Sequence, residues 1–312
     1  MIFELAMRRT VLFLCLFLLQ VLCHAGGGER YKDAVFAQFT RDSVQYCAVD
    51  GHCLLMDIYQ PVGDTSALRP LVIFAHGGSF MKNNRRSEVE ECGPALCREL
   101  AKRGYVAVSI DYRLTSLLGM VTKPLAYKEI IRSVAEGRAS ILWFLKDIAH
   151  GNTYRIDKNR IFFAGNSAGA ILAEQLVFID SATKCRPALT KAIHKLLPDS
   201  LALPAHTLRG VISLAGAVLD TSIIAGQNLP ALLHMQGDAD RIVPYGYAKA
   251  LYGLAPFKMG GLGASRYRYI SQHIDFTEVV IKGGGHTPWN YHKEAFDAML
   301  QQVVAFLAKE IK

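Results

Sequence analysis

Six short, mostly apolar runs constrain this chain most: residues 71–75, 105–110, 161–164, 211–215, 231–235 and 276–281. Runs this short are strands, and a strand that is apolar at nearly every position is covered on both faces. Helical periodicity fills the gaps. Over 127–149 the apolar positions Ile130, Ile131, Val134, Ile141, Leu142, Leu145 and Ile148 share one side. Helices are also expected over 87–103, stopped by Gly104, over 167–179 and over 291–311. Strands alternating with helices specify an α/β fold, a mostly parallel central sheet with helices on both faces and right-handed crossovers. Residues 41–60 read as two strands around an Asp50-Gly51 turn. Two connections break the alternation, 113–128 and 180–208. The second contains Pro187, Pro198 and Pro204. Ligands sit where loops leave the carboxyl ends of strands, so both segments are candidate covers for a site, 180–208 as a small cap.

A length of 312 residues suits one large domain, and 51% hydrophobic with 20% charged residues excludes disorder and a coiled coil. The net charge of +8 comes from Lys and Arg spread along the chain. The densest cluster, residues 82–86, has no RNA-binding aromatic motif beside it. The charge is therefore read as a solvated basic surface, with no nucleic-acid partner.

The first 25 residues are read apart from the fold. Arg8-Arg9 precedes the apolar run 11–22, then Cys23-His24-Ala25 and three glycines. This is the pattern of a signal peptide cut near Ala25. As a helix the run would reach about 18 Å, short of a hydrocarbon core of about 30 Å. The expectation is a secreted or periplasmic protein, residues 26–312 forming one domain, with no stable membrane span once the signal is removed. In an oxidising compartment Cys47 and Cys53, flanking the turn, are candidates for a disulfide. Cys92, Cys97 and Cys185 cannot be paired from sequence. No zinc-ligand spacing is present, and no metal or cofactor is expected.

The chemistry centres on Gly165-Asn166-Ser167-Ala168-Gly169, a G-x-S-x-G between a strand and a helix. Such a turn holds the serine in a strained backbone conformation and pushes its Oγ out above the helix N-terminus. A serine hydroxyl needs a base to take its proton and a carboxylate to orient that base. In a strand–turn–helix arrangement of this kind the order along the chain is Ser, then acid, then His. Two strand-to-loop junctions supply them: Gly237-Asp238-Ala239-Asp240, and Gly283-Gly284-Gly285-His286. Of the two aspartates Asp240 is favoured, because Asp238 lies nearer the strand and is better placed to bond the turn. An oxyanion needs backbone N–H donors in place beforehand. Ala168, after the nucleophile, supplies one. Gly78 and Ser79, in the loop His76-Gly77-Gly78-Ser79 that follows a buried strand, supply the others.

The segments HGGSF (76–80), SIDYRL (109–114), DKNRIFFAGNSAGA (157–170), GDADRIVP (237–244) and GGGH (283–286) together resemble an α/β-hydrolase. The likeness is to carboxylesterases related to the hormone-sensitive-lipase group and to secreted bacterial acetyl and feruloyl esterases. It implies an α/β-hydrolase fold, a catalytic Ser167-Asp240-His286 triad, an oxyanion hole of Gly78, Ser79 and Ala168, and hydrolysis of a small-molecule or polysaccharide-linked ester. Lipase, polyester esterase and prolyl-oligopeptidase-type peptidase activities share this machinery. The chain departs from the lipase group at Ser79, where a third glycine is usual, and at Asn166, where an acidic residue is usual. A more open site, lidded by 180–208 alone, is expected.

Overall fold

The computed structural model describes residues 28–312 apart from 181, 182, 184 and 227. The proposed signal segment, with Cys15 and Cys23, lies outside the described residues. Asp50 and Gly51 both take positive φ, 48° and 78°, as a two-residue hairpin turn requires. They join β1 (Phe39–Val49) to β2 (His52–Pro61). There follow β3 (Arg69–Ala75), α1 (Gly93–Lys102), β4 (Val106–Ile110), α2 (Leu117–Met120) and α3 (Lys123–Ala149). Next come β5 (Ile156–Asn166), α4 (Ala168–Phe178), α5 (Pro187–Leu196), β6 (Gly210–Leu214) and β7 (Ala231–Gly237). The chain finishes with β8 (Tyr247–Lys249), β9 (Lys258–Gly260), α6 (Leu262–Ser271), β10 (Phe276–Ile281) and α7 (Lys293–Glu310).

Eight strands form one sheet in the order β1-β2-β4-β3-β5-β6-β7-β10. Within it β1, β2 and β4 pair antiparallel, and every other pairing is parallel. From β3 the chain steps to β4, then returns to lay β5 on the other side of β3. The loops leaving β3 and β5 therefore diverge at a switch point, the crevice where such sheets bind ligands. Ala75 is paired with Gly165 there, which brings the 76–79 loop beside the turn at Ser167.

Alternation along β3 divides the core. Leu71, Ile73 and Ala75 join Ile130, Ile131, Ile171 and Leu172 of α3 and α4. Val72 and Phe74 join Leu96 and Leu100 of α1 and Val303 and Leu307 of α7. Both faces are thus covered, as the apolar runs require.

Two expectations are corrected, and one region was not foreseen. The helix expected over 87–103 starts only at Gly93, with Pro94 in its first turn. Proline is accommodated there but would break an earlier i→i−4 bond, and Glu90 already has φ 56°. Cys47 and Cys53 are both free thiols. A register shift between Gln45 and Cys47 sets Cys47 opposite Leu54 and Cys53 opposite Ala48, so the two sulfurs project from opposite faces of the hairpin. The small β8–β9 sheet and α6 come from a stretch with no strand or helix signal recognised in sequence. Among the described residues, no helix is long and apolar enough to cross a membrane.

Candidate active site

Strand β5 runs directly into α4 through Ser167, whose backbone sits at φ 54°, ψ −114°. A non-glycine residue there is strained, by about 1–3 kcal/mol. The flanking glycines make the turn sterically possible. A Cβ on Gly165 would fall 2.1 Å from the Gly169 carbonyl oxygen, and one on Gly169 would fall 2.0 Å from that of Ala75. The turn is anchored by the Ser167 N–H, which donates to Leu214 O across the sheet.

The structure brings Ser167, His286 and Asp240 into one hydrogen-bonded row. Ser167 Oγ lies 2.8 Å from His286 Nε2, and His286 Nδ1 lies 2.7 Å from Asp240 Oδ2. A carboxylate only accepts, so Nδ1 carries the proton and Nε2 is left to accept from the hydroxyl. Asp240 is itself held. Its Oδ1 accepts from the N–H groups of Ile242 and Val243 at 2.9 and 3.0 Å, and its side chain is fully buried. Asp238 stays out of the row. Its Oδ1 accepts from Gly283 N–H, which ties the aspartate loop to the histidine loop, and Lys282 pairs with it. The Ala239 N–H donates to Gly284 O and fastens the same two loops.

Gly78, Ser79 and Phe80 have successive φ values of 108°, 56° and 62°, so the loop after β3 curls tightly beside Ser167. Ser79 and Ala168 line one cavity with Ser167. Among the described residues, no protein acceptor takes the N–H of Gly78, Ser79 or Ala168. These are the three amides expected as oxyanion donors. The loop is pinned behind by His76. Its imidazole stacks on Tyr112 at 4.3 Å, its carbonyl accepts from the Tyr112 hydroxyl, and its Nδ1–H donates to Gly77 O. Burial pushes His76 down to about 4, so the ring is neutral in ordinary buffers.

The cavity above Ser167 has a volume of about 340 Å³. One wall is Leu117, Met120 and Val121, from the irregular 113–128 connection; the other is Ile242, Val243, Leu251, Leu254, Phe257 and Met259. Among the described residues, no charged side chain lines it. No described residue of 180–208 lines it either, because α5 packs against α3. Of the two candidate covers, 113–128 contributes Leu117, Met120 and Val121 and 180–208 contributes none of its described residues; the opposite wall comes from 242–259. Among the described residues, no group of three or more His, Cys, Asp or Glu is arranged to hold a metal ion.

Sequence reasoning missed the carboxylate behind the site. Glu91 is buried and accepts the Gly77 N–H and the Asn166 amide. Trp289, three residues beyond His286, donates its indole N–H to Asn166. The Pro288-Trp289 pair after the glycine loop was the one available signal, since a tryptophan in a loop needs a partner for its N–H.

Residues 56–202 match the BD-FAE family model, a span that includes Ser79 and Ser167 and stops short of Asp240 and His286. Curated relatives include non-reducing polyketide synthases. That of Acremonium egyptiacum, ascC, is 26% identical over 145 residues, 46% of this chain; that of Emericella nidulans, pkbA, is 31% identical over 137 residues, 44% of this chain. The chain spans only 6% and 5% of those two proteins. Among solved structures, esterase 2 of Thermogutta terrifontis phosphorylated by paraoxon superimposes with TM-score 0.62 at 19% identity, over 86% of this chain and 94% of that one. Its propionate-bound form gives 0.59 over the same shares. With this likeness extending over 86% of the chain, and a strand–serine–helix turn at the switch point of its sheet, the chain has the α/β-hydrolase fold.

Proposed function

We propose that this chain is a serine carboxylesterase acting on uncharged esters with an apolar acyl group of small to medium size. Ser167 Oγ attacks the ester carbonyl while His286 Nε2 takes its proton, and Asp240 steadies the imidazolium so formed. The tetrahedral oxyanion is received by the amides of Gly78, Ser79 and Ala168. The alcohol leaves with the proton from His286, and water, activated by the same imidazole, releases the acid and regenerates the serine. The observation that carries this reading is the unbroken row Ser167–His286–Asp240, at 2.8 and 2.7 Å, at the foot of an apolar cavity. The BD-FAE match and the likeness to an esterase from Thermogutta terrifontis support it. The cavity lining favours an aliphatic chain over a sugar.

Hydrolysis of nitrophenyl esters from acetate to palmitate, with feruloyl and acetyl-xylan substrates alongside, tests the proposal. Turnover is expected to peak at intermediate chain length and to fall by about 10⁴-fold or more in Ser167→Ala. Equal turnover in that variant overturns it. We further propose that residues 1–25 direct export and are removed. Terminal sequencing of the secreted protein should begin at Gly26, and retention of the segment inside the cell would reject this.

A further inference from the structure

We infer that Glu91 is a positioning residue: its buried carboxylate clamps the 76–79 loop to the nucleophile turn and the histidine loop, and so aims the amides that receive the oxyanion. The inference rests on the ester-hydrolase reading above.

The geometry is specific. Glu91 Oε2 accepts the Gly77 N–H at 2.5 Å, and Oε1 accepts the Cys92 N–H at 3.0 Å. Asn166 Nδ2 lies 3.2 and 3.3 Å from the two oxygens. Asn166 Oδ1 accepts the Trp289 indole N–H at 2.9 Å. One carboxylate thus joins the loop before Gly78 and Ser79, the residue before Ser167, and the loop that carries His286. Gly77 packs so closely that a Cβ there would fall 2.9 Å from Glu91 Oε2. With the Gly77 amide committed to Glu91, the amides that follow it are directed elsewhere.

The clamp works in its ionised form. Around Glu91 stand donors: the Gly77 and Cys92 amides and the Asn166 side-chain amide. A protonated Glu91 needs an acceptor, and Asn166 turns its Nδ2 rather than its Oδ1 toward both carboxyl oxygens. Burial pushes the carboxyl up to about 7, against the lowering effect of the Gly77 and Asn166 hydrogen bonds. The titratable groups facing it are the Cys92 thiol and the Tyr112 phenol, both raised far by burial, with His76 lowered to about 4 behind the Gly77 peptide. All three are neutral near pH 7. No cation pairs with Glu91 among the described residues. The carboxylate therefore gains and loses its charge within the working pH range of an ester hydrolase.

The test is Glu91→Gln in the full chain, with turnover expressed per serine titrated by a fluorophosphonate. The substituted amide would set an NH₂ against a backbone N–H. We expect kcat to fall about 10- to 100-fold, less than loss of a whole oxyanion donor costs, with KM within about threefold. In the wild type the acid limb of log kcat against pH should exceed a limiting slope of 1, with an inflection near pH 7 that the variant loses. A purely structural role would lower the fraction of titratable serine and the melting temperature, but leave kcat per site and the limb unchanged; that result overturns the inference and leaves the ester-hydrolase reading standing. If the wild type is neither labelled nor active on any ester, it is that reading which fails. Should Glu91→Gln not fold, Glu91→Asp, which keeps the charge but draws it back from the Gly77 N–H, replaces it: kcat per titrated serine lowered by about 10-fold or more supports the clamp, and kcat unchanged overturns it.

Discussion

At the scale of single residues the site separates groups by what holds them. Asp240 fixes the tautomer of His286, so Asp240→Asn should cut kcat by about 10⁴-fold with little change in KM, measured on a nitrophenyl ester of intermediate length. Asp238→Asn gives up the ion pair with Lys282 while its amide oxygen can still accept the Gly283 N–H, and is expected to keep kcat within about tenfold. Glu91 gives a stability prediction with a definite sign. Burial raises its carboxyl from the ordinary 4.5 to about 7, so the folded chain holds this proton more tightly than the unfolded one. Its contribution is present in full below 4.5 and is lost as pH rises through 7. Glu91→Gln, which cannot titrate, should therefore gain on the wild type between pH 5 and pH 8, by on the order of 3 kcal/mol, read from denaturant melts at both pH values. His76 and His234, both lowered by burial, act in the opposite direction, but they are common to both proteins and cancel in the difference. Ser167, His286 and Asp240 could be read from sequence because each follows a strand in a loop of distinctive composition. Glu91 could not: it sits among Glu88 and Glu90, and only the fold decides which of the three is buried.

Elements were legible where the core dictates them. Each of the six apolar runs lies within a strand of the sheet except at its outermost positions, where Tyr105 and Ala215 fall just outside, because a strand covered on both faces admits few polar residues. Legibility failed where local geometry overrides pattern. One bulge in β1 separated Cys47 from Cys53, and three-residue strands such as β8 and β9 are too short to show a period. The bulge carries a prediction: Cys53→Ser should leave both the melting temperature and ester turnover unchanged, whereas loss of a disulfide would typically cost about 2–5 kcal/mol. The β5–α4 turn carries another. Gly169→Ala places a methyl 2.0 Å from the Ala75 carbonyl oxygen, backbone against backbone, and should abolish fluorophosphonate labelling or prevent folding altogether.

Across the whole molecule the sheet is the frame on which distant segments meet. The matched family span ends at residue 202, whereas Asp240 and His286 lie beyond it, on loops that follow β7 and β10. The apolar walls are likewise drawn from two separate connections, 117–121 and 242–259, so they can vary in size without disturbing the frame. Strand β10 pairs only with β7, at the margin of the sheet. A chain in which that strand has not docked lacks the His286 that stands beside Ser167. On the mechanism proposed above, the appearance of ester cleavage during refolding should keep time with protection of the β10 amides rather than with collapse of the core. On that reading a newly made polypeptide stays silent until this edge of the sheet closes.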